Sequence, residues 1–121
     1  MAFKSLGGTT GYLTLSSTTP VRVTANQTTP SARYVCHTLF IQQVVSNTGK
    51  IYLLDRSNGS GTTGVGVLAT IPAPTLSGGI GVLLPWVAVT IPYAPGGINA
   101  ADYYLGADNT SDKASVSAIV A

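Results

Sequence analysis

The sequence contains no glutamate, and its only acidic residues are the four aspartates at positions 55, 102, 108 and 112. Charged residues make up 8% of the chain, whereas an ordinary soluble domain has about 25%. There is one histidine and one cysteine. Because enzymes need acids, bases, nucleophiles or metal ligands, this composition predicts a protein that is not an enzyme and has no catalytic, cofactor-binding or metal-binding residues.

The sequence also lacks paired cysteines and clusters of basic residues. The single Cys36 excludes an internal disulfide and a cysteine-based zinc site, which needs several ligands. The basic residues are scattered along the chain, at Lys4, Arg22, Arg33, Lys50, Arg56 and Lys113. Nucleic-acid binding favours clustered Lys and Arg, so no nucleic-acid partner is predicted.

No hydrophobic run is long enough to cross a membrane. The most apolar stretch, residues 80–91, is interrupted by Pro85, and a membrane helix needs about 20 apolar residues. The N-terminus lacks the apolar region of a signal peptide, so we expect synthesis in the cytoplasm and no membrane contact. The mean hydropathy of +0.34 is nevertheless high, which indicates either a large core or, as we favour, apolar surface covered by another subunit.

The residues that are abundant predict an all-β fold. Helix-forming residues are rare, while Thr and Val are common and 14 glycines and 7 prolines punctuate the chain. Strands are predicted over 11–15, 21–25, 34–46, 50–55, 65–71, 80–84, 86–91, 102–107 and 113–120. About seven to nine short strands at this spacing are typical of an antiparallel β-sandwich or jelly roll. We therefore expect an N-terminal arm over 1–10 and a single domain over 11–121.

Two pairs of neighbouring strands are predicted to form hairpins. Residues 34–46 and 50–55 are joined by Asn47-Thr48-Gly49, where Asn and Gly tolerate the positive φ of a tight turn. Strands 102–107 and 113–120 are joined by the polar segment 108–112.

One pair of adjacent residues resembles a catalytic dyad. Cys36 and His37 are neighbours, but successive side chains on a strand point to opposite faces. They therefore cannot share a proton, and Cys36 is interpreted as a small buried hydrophobic residue.

Two further clusters have a functional and a structural interpretation. The oxygen-rich segment 108–112 could bind Ca²⁺, but its spacing is not that of an EF-hand and it is typical of an Asx-type turn. Tyr52, Tyr103, Tyr104 and Trp86 could form a sugar-binding platform, or could simply pack in a core or an interface.

Two stretches of the chain carry a resemblance to a known class of proteins. They are Leu39-Phe-Ile-Gln with Ser46-Asn-Thr-Gly-Lys-Ile-Tyr-Leu-Leu-Asp55, and Asn99-Ala-Ala-Asp-Tyr-Tyr-Leu-Gly-Ala with Ser111-Asp-Lys-Ala-Ser-Val-Ser-Ala-Ile119. They resemble small virion structural proteins of tailed bacteriophages, although Leu54 stands where such chains often have glycine and residues 65–98 match no pattern. The resemblance implies a small β-sandwich that decorates or cements a capsid or sits on a tail, usually as a symmetric oligomer.

Composition and resemblance together predict a non-enzymatic virion structural protein. We expect a capsid decoration or cement protein on the surface of a phage head, forming a homo-oligomer, most simply a trimer, and binding the major capsid protein. Apolar character near proline-bounded segments selects the interface residues Phe3, Leu6, Trp86, Val87, Ile91 and Tyr93. The alternative is a tail or fibre-associated module that binds a host-surface glycan.

Overall fold

The computed structural model describes residues 2–55, 66–77, 81–90 and 97–120, and these residues form β-strands joined by turns. The strands are β1 (Ala2–Ser5), β2 (Leu13–Thr14), β3 (Val21–Arg22), β4 (Val35–Gln43), β5 (Ile51–Asp55), β6 (Val67–Ile71), β7 (Thr75–Ser77), β8 (Gly81–Leu83), β9 (Trp86–Thr90), β10 (Ile98–Asn99), β11 (Tyr103–Ala107) and β12 (Lys113–Val120). Short 3₁₀ turns lie at Gly8–Thr10 and Ala100–Asp102. Within the described ranges, no helix is long and apolar enough to cross a membrane.

The strands form two antiparallel sheets, which confirms the predicted all-β sandwich. In sheet A, β12 and β4 pair at the centre, β1 and β2 follow the outer side of β12, and β9 and β10 follow the outer side of β4. Sheet B has the order β3-β11-β5-β6. Strands β7 and β8 pair with each other as a separate ribbon.

The core lies between the two sheets and follows from the alternation of side chains along each strand. On β4, Leu39 and Ile41 are fully buried while Gln42 is exposed. On β12, Val116 and Ala118 are buried in the same way. Because side chains alternate with period two, the apolar half of each strand faces the opposite sheet.

Both predicted hairpins are wrong. Strand β4 belongs to sheet A and β5 to sheet B, and the same division separates β12 from β11. The segments between them are therefore corners that cross from one sheet to the other. Alternation does not distinguish the two arrangements, because a strand with one apolar face can pair beside its neighbour or pack opposite to it.

The expected N-terminal arm is instead part of the domain. Strand β1 pairs in register with the end of β12, and the Leu6 N–H continues the ladder by donating to the Val116 carbonyl at 2.9 Å. The Leu6 side chain is 1% exposed and belongs to the core.

Each strand predicted from the sequence has a counterpart in the structure, whereas β1, β7 and β10 are strands that the sequence did not predict.

Candidate functional site

Cys36 and His37 occupy opposite sides of β4, as predicted. Cys36 is buried and its thiol is free, while His37 is exposed. Burial raises the pKa of the Cys36 thiol, which disfavours the reactive thiolate. The pairing register with β12 shifts between Thr38 and Cys36, so His37 is the additional residue of a β-bulge.

The oxygen-rich segment 108–112 binds backbone amides of the other corner. The Asp112 carboxylate is buried and accepts from the N–H groups of Thr48 and Gly49 at 3.3 and 3.0 Å. Asp108 accepts from the Lys50 N–H at 3.2 Å. These carboxylates therefore fasten the two sheet-crossing corners to each other, which is a structural use of their oxygens.

Asn47 and Gln43 extend this connection into the interior. The Asn47 side chain donates to Gln43 Oε1 at 2.6 Å and to the Lys113 carbonyl, and it accepts from the Lys113 N–H at 2.7 Å. The Gln43 amide in turn donates to the carbonyls of Gly49, Ile71 and Pro72. A buried network with every group paired holds the corners in one arrangement. The Asn47-Thr48-Gly49 segment therefore forms part of this network and does not form the turn of a hairpin.

The outer face of sheet B carries two of the tyrosines selected from the sequence. The Tyr52 hydroxyl donates to Asp108 Oδ1 at 2.8 Å, and this hydrogen bond is the main cause that raises the pKa of Tyr52 above its ordinary value of 10.0. Arg22 donates to the Tyr104 hydroxyl at 3.0 Å, and its guanidinium lies 5.5 Å from the centroid of that ring. Tyr103 instead packs partly buried against the core.

The outer face of sheet A, hereafter the aromatic face, has a different composition. Neighbouring rows across the sheet supply its side chains, which are Phe3, Ile119, Thr38 and Thr90, then Ser5, Ser117, Phe40 and Ala88, then Ser115, Gln42 and Trp86. All are exposed or half-buried. None of these side chains is charged, so the face combines aromatic rings with hydroxyls. Lys113 is the next residue of β12 on this side of the sheet, and its ammonium lies 5.7 Å from the Tyr12 ring centroid at the border of the face.

Three aromatic rings run diagonally across this face. The ring centroids of Phe3 and Phe40 are 5.5 Å apart, and those of Phe40 and Trp86 are 6.2 Å apart. These separations lie in the range of favourable aromatic pairs. Phe3 is 71% exposed and Trp86 is 61% exposed, so the row begins and ends with a large apolar side chain in solvent.

Trp86 separates two shallow grooves. One has a volume of about 280 Å³ and is lined by Phe40, Gln42 and Trp86. The other has a volume of about 500 Å³, and its lining residues are Pro72, Ala73, Thr75, Leu84, Pro85 and Trp86. The apolar surface therefore continues from the aromatic face around the edge of the sheet.

The predicted interface residues have different positions in the structure. Phe3 and Trp86 lie at opposite ends of the aromatic row. Val87 is half-buried and packs against the core, and the buried Leu6 is covered by its own chain, so these two side chains do not face outward as the interface prediction requires. Ile91 and Tyr93 lie outside the described residues. The sequence does not indicate Phe40 as an interface residue, because the exposure of its side chain depends on which face of β4 is covered.

The outer face of sheet B thus carries Tyr52, Tyr104 and Arg22 together with the exposed Leu68, whereas sheet A presents the uncharged aromatic face. No family model matches the chain, and neither a curated protein nor a solved structure matches it. The chemistry of the two faces and the resemblance of residues 39–55 and 99–119 are therefore the observations that bear on function.

Proposed function

We propose that this chain is a non-enzymatic structural protein of a virion, which decorates or cements a phage head as a homo-oligomer. The observation that carries the proposal is the uncharged aromatic face with Phe3 and Trp86 exposed at its two ends. Large apolar side chains that are exposed together on one face mark protein interaction sites. Aromatic residues are enriched and charged residues depleted at the centre of such interfaces.

The size of the exposed rings indicates how much association they could provide. Phe and Trp bury about 150–250 Å² each, so Phe3 and Trp86 together leave roughly 250–300 Å² for a partner at their exposed fractions. At about 25 cal/mol per Å² this corresponds to about 6–7 kcal/mol before the costs of association. One such contact between copies is modest, but an oligomer that presents several equivalent surfaces to the shell at once would bind it tightly through multivalency.

The stretches that resemble tailed-phage virion proteins agree with this proposal. They include both corners, which lie against each other through Asp112 and Asp108. The resemblance implies a small β-sandwich in a symmetric assembly, and a β-sandwich is the fold observed. A head surface presents many equivalent copies of the major capsid protein, which is the partner we propose.

The experiment has two measurements on the full chain. Sedimentation equilibrium should give three times the chain mass of 12.3 kDa, and a monomer at every concentration would refute the proposed assembly. Cosedimentation with empty heads made of major capsid protein alone should then recover the chain with the heads. An oligomer that stays in the supernatant would refute the cement function while leaving self-assembly intact.

The second candidate is a tail or fibre-associated module that binds a host-surface glycan. It is favoured by Tyr52, whose half-exposed ring lies beside the Asp108 carboxylate, with Gly106 opposite it on the neighbouring strand. Sugars bind aromatic rings that have polar groups beside them. A glycan array that shows binding abolished by Tyr52→Ala, but retained in Trp86→Ala, would favour this function over the cement function.

A further inference from the structure

Strands β1 and β9 lie on opposite edges of sheet A and carry backbone hydrogen-bonding groups that pair with no strand among the described residues. The Gln43 N–H donates to the Pro85 carbonyl at 3.0 Å, and the pairing of β4 with β9 continues in register from Gln42 opposite Trp86. Hydrogen-bonded and non-hydrogen-bonded pairs alternate in an antiparallel ladder. The N–H and C=O groups of Trp86, Ala88 and Thr90 therefore point away from β4.

Strand β1, at the other edge of sheet A, also has backbone groups that point away from its partner strand. The Leu6 N–H donates to the Val116 carbonyl, and the register continues from Ser5 opposite Ser117 to Phe3 opposite Ile119. The backbone groups of Phe3 and Ser5 therefore point away from β12. Among the described residues, no strand pairs with the outer side of β1 or of β9.

The two edges match each other in direction and in face. Three antiparallel pairings connect β1 to β9 through β12 and β4, so β1 and β9 run in opposite directions. The edge-pointing residues of both strands also carry their side chains on the aromatic face. A β9 strand from one copy can therefore pair antiparallel with β1 of the next copy, and the aromatic face continues across the junction.

We propose that copies of this chain assemble head to tail, with β9 of one copy adding to β1 of the next so that sheet A continues between them. The inference rests on the proposed self-assembly and names the surface that provides it. Phe3 of one copy lies opposite Ala88 of its neighbour, and Ser5 lies opposite Trp86. In this register Phe3 and Trp86 are diagonal neighbours, a position within reach of aromatic side chains.

Head-to-tail pairing explains features that a two-fold pairing does not. The two exposed aromatic side chains lie at opposite edges of the sheet, and only head-to-tail pairing brings Phe3 next to Trp86. It also covers both open edges of each copy, whereas a two-fold contact between β9 strands leaves β1 open. A head-to-tail contact closes into a ring when its rotation permits, which agrees with a trimer.

The chemistry of the edges permits this pairing. Exposed edges are commonly protected by charge, short length or bulges. The edges of sheet B have such protection, because β3 is short and the β5–β6 pairing contains a register shift between Leu53 and Leu54. In sheet A, β9 has no charged residue, and the Lys4 ammonium of β1 lies 5.2 Å from the Tyr34 ring centroid of its own chain.

Disulfide trapping tests the pairing directly. Opposed residues of a hydrogen-bonded antiparallel pair have Cα atoms about 5.5 Å apart, a separation that a disulfide spans. We expect a mixture of the Phe3→Cys and Ala88→Cys chains to form, on mild oxidation, a species of twice the chain mass containing one of each. Each variant alone, and the parent chain with its buried Cys36, should stay at the mass of a single chain on a denaturing gel.

A backbone variant provides a second, independent test. Ala88→Pro removes an N–H that points to the open edge and not to β4, a position at which an edge strand tolerates proline. We expect this variant to remain folded and to sediment as a monomer, whereas the matched Ala88→Ser, which keeps the N–H, assembles like the parent.

The outcomes separate this inference from the proposed function. Disulfide-linked dimers of Ala88→Cys alone would show two-fold pairing of β9 and would overturn the head-to-tail inference. An oligomeric parent that neither cross-links in the mixture nor dissociates with Ala88→Pro would overturn the edge pairing but not the self-assembly. A monomeric parent would overturn both.

Discussion

Replacing Trp86 by alanine should weaken self-association without unfolding the chain. Trp86 is 61% exposed, so about 150 Å² of a side chain of about 250 Å² remains available to a partner. Alanine retains part of this contact, and the net loss is roughly 100 Å². At about 25 cal/mol per Å² this amounts to about 2.5 kcal/mol, which raises the dissociation constant of each contact about 60-fold.

Sedimentation velocity over a dilution series measures this change. The parent and Trp86→Ala should both dissociate on dilution. For a trimer held by three such contacts the midpoint concentration follows the square root of the combined dissociation constant, so the variant should dissociate at a concentration roughly 500-fold higher. Leu68→Ala is the matched control, because Leu68 is 51% exposed on β6 of sheet B and should leave assembly unchanged.

The folded state of the variant must be measured alongside its assembly. Loss of the ring contact with Phe40 should lower the free energy of unfolding by about 0.5–1.5 kcal/mol, which leaves the chain folded. If Trp86→Ala is folded and assembles at the same concentration as the parent, the aromatic face does not mediate association. If Leu68→Ala weakens association equally, exposed apolar area promotes association on sheet B as well as on the aromatic face of sheet A.

Two further predictions concern the connection between the corners and the pH dependence of stability. Asn47→Ala removes two hydrogen bonds to the Lys113 backbone and should lower the free energy of unfolding by about 2–4 kcal/mol in urea denaturation; a change below about 1 kcal/mol would contradict a structural role for the network. Because the pKa of Tyr52 is raised in the folded state, its stabilising effect is present below the ordinary tyrosine pKa and is lost as pH rises through the raised value. Alkaline denaturation should show a smaller loss of stability in Tyr52→Phe than in the parent, and Asp108→Ala should return the Tyr52 titration, followed by ultraviolet absorbance, towards the ordinary range.

The local sequence pattern is sufficient to predict where the strands lie. Alternation along residues 38–42 and 115–119 divides the side chains of β4 and β12 into two sets, one on each face of the strand. The structure shows which set is buried: Leu39 and Ile41 on β4, and Val116 and Ala118 on β12. The same rule separated Cys36 from His37 without knowledge of the neighbouring strands. The all-β fold followed from abundant Thr, Val and Gly with few helix-forming residues.

Strand pairing required the tertiary structure. The Asn47-Thr48-Gly49 turn predicts a hairpin on local grounds, yet Asn47 is buried in the network that holds two corners together. Leu6 gave no local signal of burial, because its position depends on β1 pairing with the far end of the chain. Contacts between residues distant in sequence are set by which faces can be covered together, and a window of a few residues does not contain that information.

The sequence alone determines that charged residues are few, and this composition predicts packing against other protein molecules. What only the tertiary structure decided is where the uncharged surface lies. Phe3, Phe40 and Trp86 come from three separate strands and form one row because β12 and β4 place them on the same side of sheet A. The physical reason is that burial of one face of each strand in the core leaves the alternate side chains outside, and the pairing of distant strands then decides which of them become neighbours.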